Sequence, residues 1–208
     1  MSHEETFSPG TDVGLPISVI GMSVSQVTKL SIGPAIDNLT EASTGFGESL
    51  HSLGGRWMWE KIEPGKDTLA DLLWIVDSLR NGSLIWATDG SYDQKKAIDL
   101  CGVGWMIFCT NTGFRVTGTF WERSIAASSY RDELLGLCAL HLFAQAIAEF
   151  YKVVGWSALL CCDNKRALEA SSHHKRRIRP SAKCADILRS LKAVKPLLNG
   201  TFRYAHVY

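Results

Sequence analysis

The chain has 208 residues, 46% apolar and 21% charged, which is the make-up of an ordinary globular protein long enough for one buried core and an extension. No unbroken apolar run approaches the ~20 residues of a membrane-spanning helix, and the start, MSHEETFSPG, is acidic where a secretory leader is basic and then apolar. The expectation is an intracellular protein, nuclear or cytoplasmic.

The net charge of +1 conceals a division. Residues 1–80 hold 5 Lys and Arg against 11 Asp and Glu, and the remainder holds 17 against 10. A basic, polyanion-binding segment therefore follows an acidic one. In chain order, residues 1–66 are rich in Gly, Ser, Thr and Pro and lack sustained periodicity, predicting an extension that is largely loop or disorder. Residues 67–82 differ: Leu69, Leu72, Leu73, Val76 and Leu79 share one helical stripe, with Asp67 placed to cap it and Asn81-Gly82 to end it.

From Leu84 the pattern becomes that of strands. Leu84 to Thr88 runs into Asp89-Gly90-Ser91, and Val103 to Thr110 is separated from Phe114 to Glu122 by the turn signal Asn111-Thr112-Gly113, giving a three-stranded antiparallel meander. Ser129 to Tyr151 reads as a long helix, with Ser129 as its N-cap and Asp132 at its third position. A buried strand, Ser157 to Cys162, ends at Asp163. A short helix over Asn164 to Ala170, a basic loop over Ser171 to Lys183, an amphipathic helix over Ala185 to Leu198 and a strand over Thr201 to Tyr208 complete the reading. That order builds a mixed five-stranded α/β sheet with flanking helices.

The six cysteines show no C-x-x-C spacing and no ordered His partners, so a zinc site is not expected and they read as reduced, buried apolar residues. The chemistry lies instead in three acids at element ends. Asp89 and Asp163 stand at the C-terminal ends of strands, the edge where open α/β sheets bind ligands, and Glu133 stands in the first turn of the long helix. Carboxylates that converge are stable together when cations neutralise them. Mg²⁺ takes such oxygen ligands, and a pair of ions serves phosphodiester displacement. Each acid also has a plainer reading, as a turn residue, a helix-dipole partner or a helix cap.

The motifs Thr88-Asp89-Gly90-Ser91, Gly102-Val103-Gly104-Trp105, Ser129-Tyr130-Arg131-Asp132-Glu133-Leu134-Leu135-Gly136 and Cys162-Asp163-Asn164-Lys165-Arg166-Ala167-Leu168 follow one another over residues 84–208. In that order they resemble the type 1 ribonuclease H domain fused to reverse transcriptases of retroelements. The resemblance implies a ribonuclease H-like fold and hydrolysis of the RNA strand of RNA/DNA hybrids, with Asp89, Glu133 and Asp163 holding two Mg²⁺ ions or Mn²⁺ in their place. It implies a larger polyprotein as the setting. It also implies a Gly-His step and a fourth acid after the last strand. The sequence ends at Tyr208, so the expectation is a domain incomplete at its C-terminus, with a catalytically impaired nucleic-acid-binding relic as the alternative. His206, inside the last strand, reads as a plain strand histidine.

For substrate, Gly90, Ser91, Arg131 and Asn164 are candidates to approach 2′-hydroxyls in a shallow minor groove, and each also reads as a turn or cap residue. Lys175, Arg176, Arg177 and Arg179, in the densest positive run of the chain, are candidates for phosphate contacts that carry no base specificity. That run also reads as a solvated loop or a nuclear-localisation signal.

Overall fold

The computed structural model describes residues 45–53, 55–59, 61–63, 72–172 and 177–207. Within the segment expected to be loop or disorder, Phe46–Ser52 forms a helix (α1), Arg56–Met58 a 3-10 turn and Lys61–Glu63 a short strand (β1). This corrects the expectation for residues 46–63. Phe46, Leu50, Leu53, Met58 and Trp59 are buried in the main core. The cause is aromatic packing: the Phe46 ring meets Phe143 at 5.4 Å, and Trp59 meets Trp105 and Phe143 at 6.2 and 6.1 Å. Elements this short leave no periodic signal in the sequence.

Leu73–Arg80 forms α2, which ends at Asn81 with Gly82 in the left-handed region, as its sequence predicts. The expected cap Asp67 lies outside the described residues. The meander then appears as β2 (Leu84–Ser91), β3 (Leu100–Cys109) and β4 (Arg115–Arg123). Burial alternates strictly along β3, with Cys101, Val103, Trp105, Ile107 and Cys109 turned into the core.

The long helix α3 spans Ser129–Phe150, and its cap is Ser128 instead of Ser129, with Ser128 Oγ accepting from the Arg131 amide at 3.3 Å. The one-residue shift puts Asp132 in the fourth helical position. By length and hydropathy α3 could cross a membrane, but 89% of its apolar window is buried inside the protein. It lies so close to the sheet that a Cβ on Gly136 would run into Thr88 Oγ1. Trp156–Cys162 (β5), Lys165–Ser172 (α4), Ala185–Val194 (α5), a 3-10 turn at Lys195–Leu197 and Gly200–His206 (β6) follow.

The result is a mixed sheet with flanking helices, as expected, but of six strands in the order β1-β4-β3-β2-β5-β6. The sixth is β1, which pairs antiparallel with the outer edge of β4, Lys61 opposite Thr119 and Glu63 opposite Thr117. Strands β2, β5 and β6 run parallel to one another, with Thr88 opposite Cys162 and Cys162 opposite His206. Their C-terminal ends thus share one edge of the sheet, beneath the first turns of α3.

Candidate active site

The register of β2 and β5 decides where two of the acids fall. Thr88 and Cys162 are partners, so Asp89 and Asp163 are the next residues on parallel strands that lie about 4.8 Å apart. Both are exposed. Glu133 comes from α3 above them and is buried; its Oε1 accepts from the Gly90 amide at 3.0 Å and its Oε2 from the Cys162 thiol at 3.3 Å. One ligand atom from each of Glu133, Cys162 and Asp163 lies within 4.8 Å of the other two. The structure therefore brings together Glu133 and Asp163, with Asp89 on the neighbouring strand outside that cluster.

Burial pushes the Glu133 carboxyl above the usual range, the hydrogen bonds from Cys162 and Gly90 draw it back, and the charge of Asp163 adds to the rise. Asp132 is fully buried, and burial pushes it up to about 7, with the charges of Asp89 and Asp163 contributing. Its Oδ1 accepts from the Glu133 amide at 2.8 Å, while its Oδ2 is buried without a hydrogen-bond partner. Among the described residues no lysine or arginine is ion-paired with Asp89, Glu133 or Asp163. Such a group is neutralised by protons or by a cation. Glu133 and Asp163 present close carboxylate oxygens with one exposed side, a donor set that fits a hard divalent ion.

The remaining candidates divide. Gly90 is where β2 passes beneath α3, and a Cβ there would sit 2.7 Å from Asp132 Cγ and 3.0 Å from the Glu133 nitrogen. Its smallness is therefore required by packing. Ser91 is exposed at the end of β2. Asn164 caps α4, its Oδ1 accepting from the Ala167 amide at 3.0 Å. Arg131 is corrected as a substrate contact. Its Nε and NH2 donate to the two Glu122 oxygens at 2.7 Å each, NH2 also meets Asp186 Oδ2 at 2.8 Å, and the side chain is 3% exposed. A guanidinium held in that way ties β4, α3 and α5 together. Lys175 and Arg176 lie outside the described residues, and Arg177 and Arg179 are exposed.

Beside the carboxylates opens a groove of about 680 Å³, lined by Tyr130, Asn164, Arg166, Lys183, Lys192 and Lys195 among others. Lys183 stands over the Tyr130 ring at 5.7 Å. Lys195 is mostly buried, donates to the Ser171 carbonyl and faces the Tyr204 ring, and burial lowers it to about 8. Ile178 and Ala182 belong both to this groove and to the adjoining one that Arg177 and Arg179 line, so the cationic lining is extended by those two arginines.

Three residues at the site were not singled out from sequence. Asp132 reads there only as the residue at the third helical position, and its burial against Gly90 of β2 is a tertiary contact. Cys162 reads as a strand apolar residue. His206 Nε2 donates to the Asp163 carbonyl at 2.7 Å, a position readable in principle once the last strand is aligned parallel to β5.

No family model and no curated protein matches the chain. Solved structures similar to it include RNase H1 from the halophilic archaeon Halobacterium salinarum, 16% identical, covering 59% of this chain and 85% of that one with a TM-score of 0.41. LC11-RNase H1, isolated from compost by a metagenomic approach, is 14% identical over 60% of this chain and 85% of its own at 0.42. The same enzyme in complex with RNA/DNA hybrid is similar over 59% and 85% at 14% identity and 0.38.

Proposed function

We propose that the chain hydrolyses the RNA strand of RNA/DNA hybrids with the help of divalent metal ions, as part of a retroelement reverse transcriptase inside the cell. The observation that carries this reading is the convergence of Glu133 and Asp163 at the strand ends beside Asp89, next to a groove to which Arg166, Lys183, Lys192 and Lys195 contribute cationic side chains. The retroelement setting is supported by the Thr88-Asp89-Gly90-Ser91, Arg131-Asp132-Glu133-Leu134 and Asp163-Asn164 motifs in their order.

In this reading Asp89, Glu133 and Asp163 hold Mg²⁺, or Mn²⁺. When bound, the ions supply an activated water and steady the departing oxygen of the phosphodiester. The chain's own side chains do the rest. Arg166, Lys183 and Lys192, with Arg177 and Arg179, engage phosphates and set the duplex along the groove. Ser91 and Asn164 flank the acids in sequence, where short polar side chains can meet the 2′-hydroxyl that distinguishes RNA from DNA. Arg131 fixes the start of α3 and so the height of Glu133 above the sheet.

The test is incubation of the full chain with labelled RNA/DNA hybrid, duplex DNA and duplex RNA, with Mg²⁺ and with chelator. Cleavage confined to the RNA strand of the hybrid and abolished by chelator is expected. Tight binding without cleavage at any metal concentration would replace the enzyme with a nucleic-acid-binding module, and cleavage of DNA would indicate a different nuclease.

A further inference from the structure

Cys162 places a sulfur among the oxygens of the candidate site. Its thiol is fully buried, it donates to Glu133 Oε2 at 3.3 Å, and Sγ lies within 4.8 Å of both a Glu133 and an Asp163 oxygen. A tetrahedral zinc-like ion with a bond of about 2.3 Å to sulfur and about 2.1 Å to oxygen separates two such ligands by about 3.6 Å. The thiol and Glu133 are therefore already close to that spacing, and replacing their shared proton with an ion needs a shift of only a few tenths of an ångström.

Two further observations point to a cation at this place. Among the described residues no lysine or arginine is ion-paired with the acids, and the fully buried Asp132 beside Glu133 keeps one oxygen without a partner. Mg²⁺ does not use a thiolate, whereas d¹⁰ ions do. The cysteine spacing excludes a cysteine-only zinc site, but says nothing about one cysteine joined to carboxylates from another element.

We propose that Cys162, Glu133 and Asp163 form a site for a thiophilic divalent cation such as Zn²⁺ or Cd²⁺, with a water as fourth ligand on the exposed Asp163 side, and that its occupation competes with Mg²⁺. The competition rests on the hydrolytic reading above; the binding site does not. Binding forms one metal–sulfur bond and releases the Cys162 proton to solvent, together with any proton on Glu133, and no electron is transferred.

The probe is Cd²⁺ added to the full chain. A thiolate-to-cadmium charge-transfer band saturating at one ion per chain is expected, reduced at least about 10-fold in affinity by Cys162→Ser and unchanged by Cys184→Ser. Absence of the band, or its persistence in Cys162→Ser, overturns the proposal. Should Cys162→Ser fail to fold, as judged by its circular dichroism, X-ray absorption on the wild-type chain decides instead. One sulfur among oxygens supports the site, and an all-oxygen or two-sulfur shell overturns it. Excess Mg²⁺ should weaken the band; indifference to Mg²⁺ would overturn the competition. A chain that never cleaves hybrid yet shows the Cys162-dependent band would refute the hydrolytic reading and leave this site standing.

Discussion

Gly90 and Glu133 are joined by a 3.0 Å hydrogen bond from the strand amide to the helix carboxylate, so the residue next to Asp89 fixes the position of the second acid. A side chain at Gly90 would meet Asp132 Cγ at 2.7 Å and the Glu133 backbone nitrogen at 3.0 Å, and the backbone atom cannot swing away. Gly90→Ala is expected to destabilise the fold by about 1–3 kcal/mol and to lower Mg²⁺ affinity. Denaturant melts and a metal titration check both.

Asp89→Asn, Glu133→Gln and Asp163→Asn each remove one charge from a set that acts together. Hybrid cleavage should fall about 100-fold or more in each, with the melting temperature unchanged or raised for Glu133→Gln, whose charge is buried. Turnover near that of the wild type in any one would take that residue out of the site.

Arg131 is enclosed with Glu122 and Asp186. Arg131→Met leaves the Glu122 carboxylate buried and unpaired, and a loss of about 3–5 kcal/mol is expected, read as a lower urea midpoint. A shift under about 1 kcal/mol would show that water reaches the pair.

The raised pKa values of Asp132 and Glu133 make stability depend on pH. Between the ordinary carboxylate range near 4 and about 7 the folded chain binds more protons than the unfolded one, so its stability is greatest below that window and falls as pH rises through it. In chelator, the melting temperature should decline from pH 5 to 7 and the decline should flatten in Asp132→Asn. Divalent cation should shrink it by replacing the protons. A wild-type chain that gains stability over this window would contradict the burial of these charges.

Arg177→Ala and Arg179→Ala should weaken hybrid, duplex and single-strand binding alike. Each lost phosphate contact lowers the slope of log K against log salt by about 0.7–0.9. An unchanged slope in a salt titration would place this part of the loop away from nucleic acid.

The sheet from Leu84 onward was legible because β3 and β4 alternate over nine or ten residues and α3 is long and rich in helix formers. The acids were legible for the same reason, since Asp89 closes the apolar run of β2 two residues before that strand ends and Asp163 directly follows β5. Arg131 was misread because nothing local in the sequence shows that Glu122, on β4, and Asp186, on α5, arrive at the same point. Asp132 was legible only as an acid at the start of the helix, because its burial comes from Gly90 of β2 passing beneath it, a contact that nothing local in the sequence shows. The helix, turn and strand of residues 46–63 were invisible because their stability comes from rings supplied by distant parts of the chain, Phe143 and Trp105 above all.

The pairing of β1 with β4 bears on where the folding unit begins. Cutting the chain at Leu84, where its motifs start, would strip the partner from the β4 edge at Thr117 to Thr119 and bare Phe120, which packs against Trp57 with ring centroids 5.0 Å apart. The fragment would present a ladder of unanswered amides and carbonyls beside exposed aromatic surface, the template on which strands of separate molecules stack. Residues 46–63 in this sense sheathe an edge and a ring surface that would otherwise invite pairing between molecules, and a version trimmed of them is expected to aggregate.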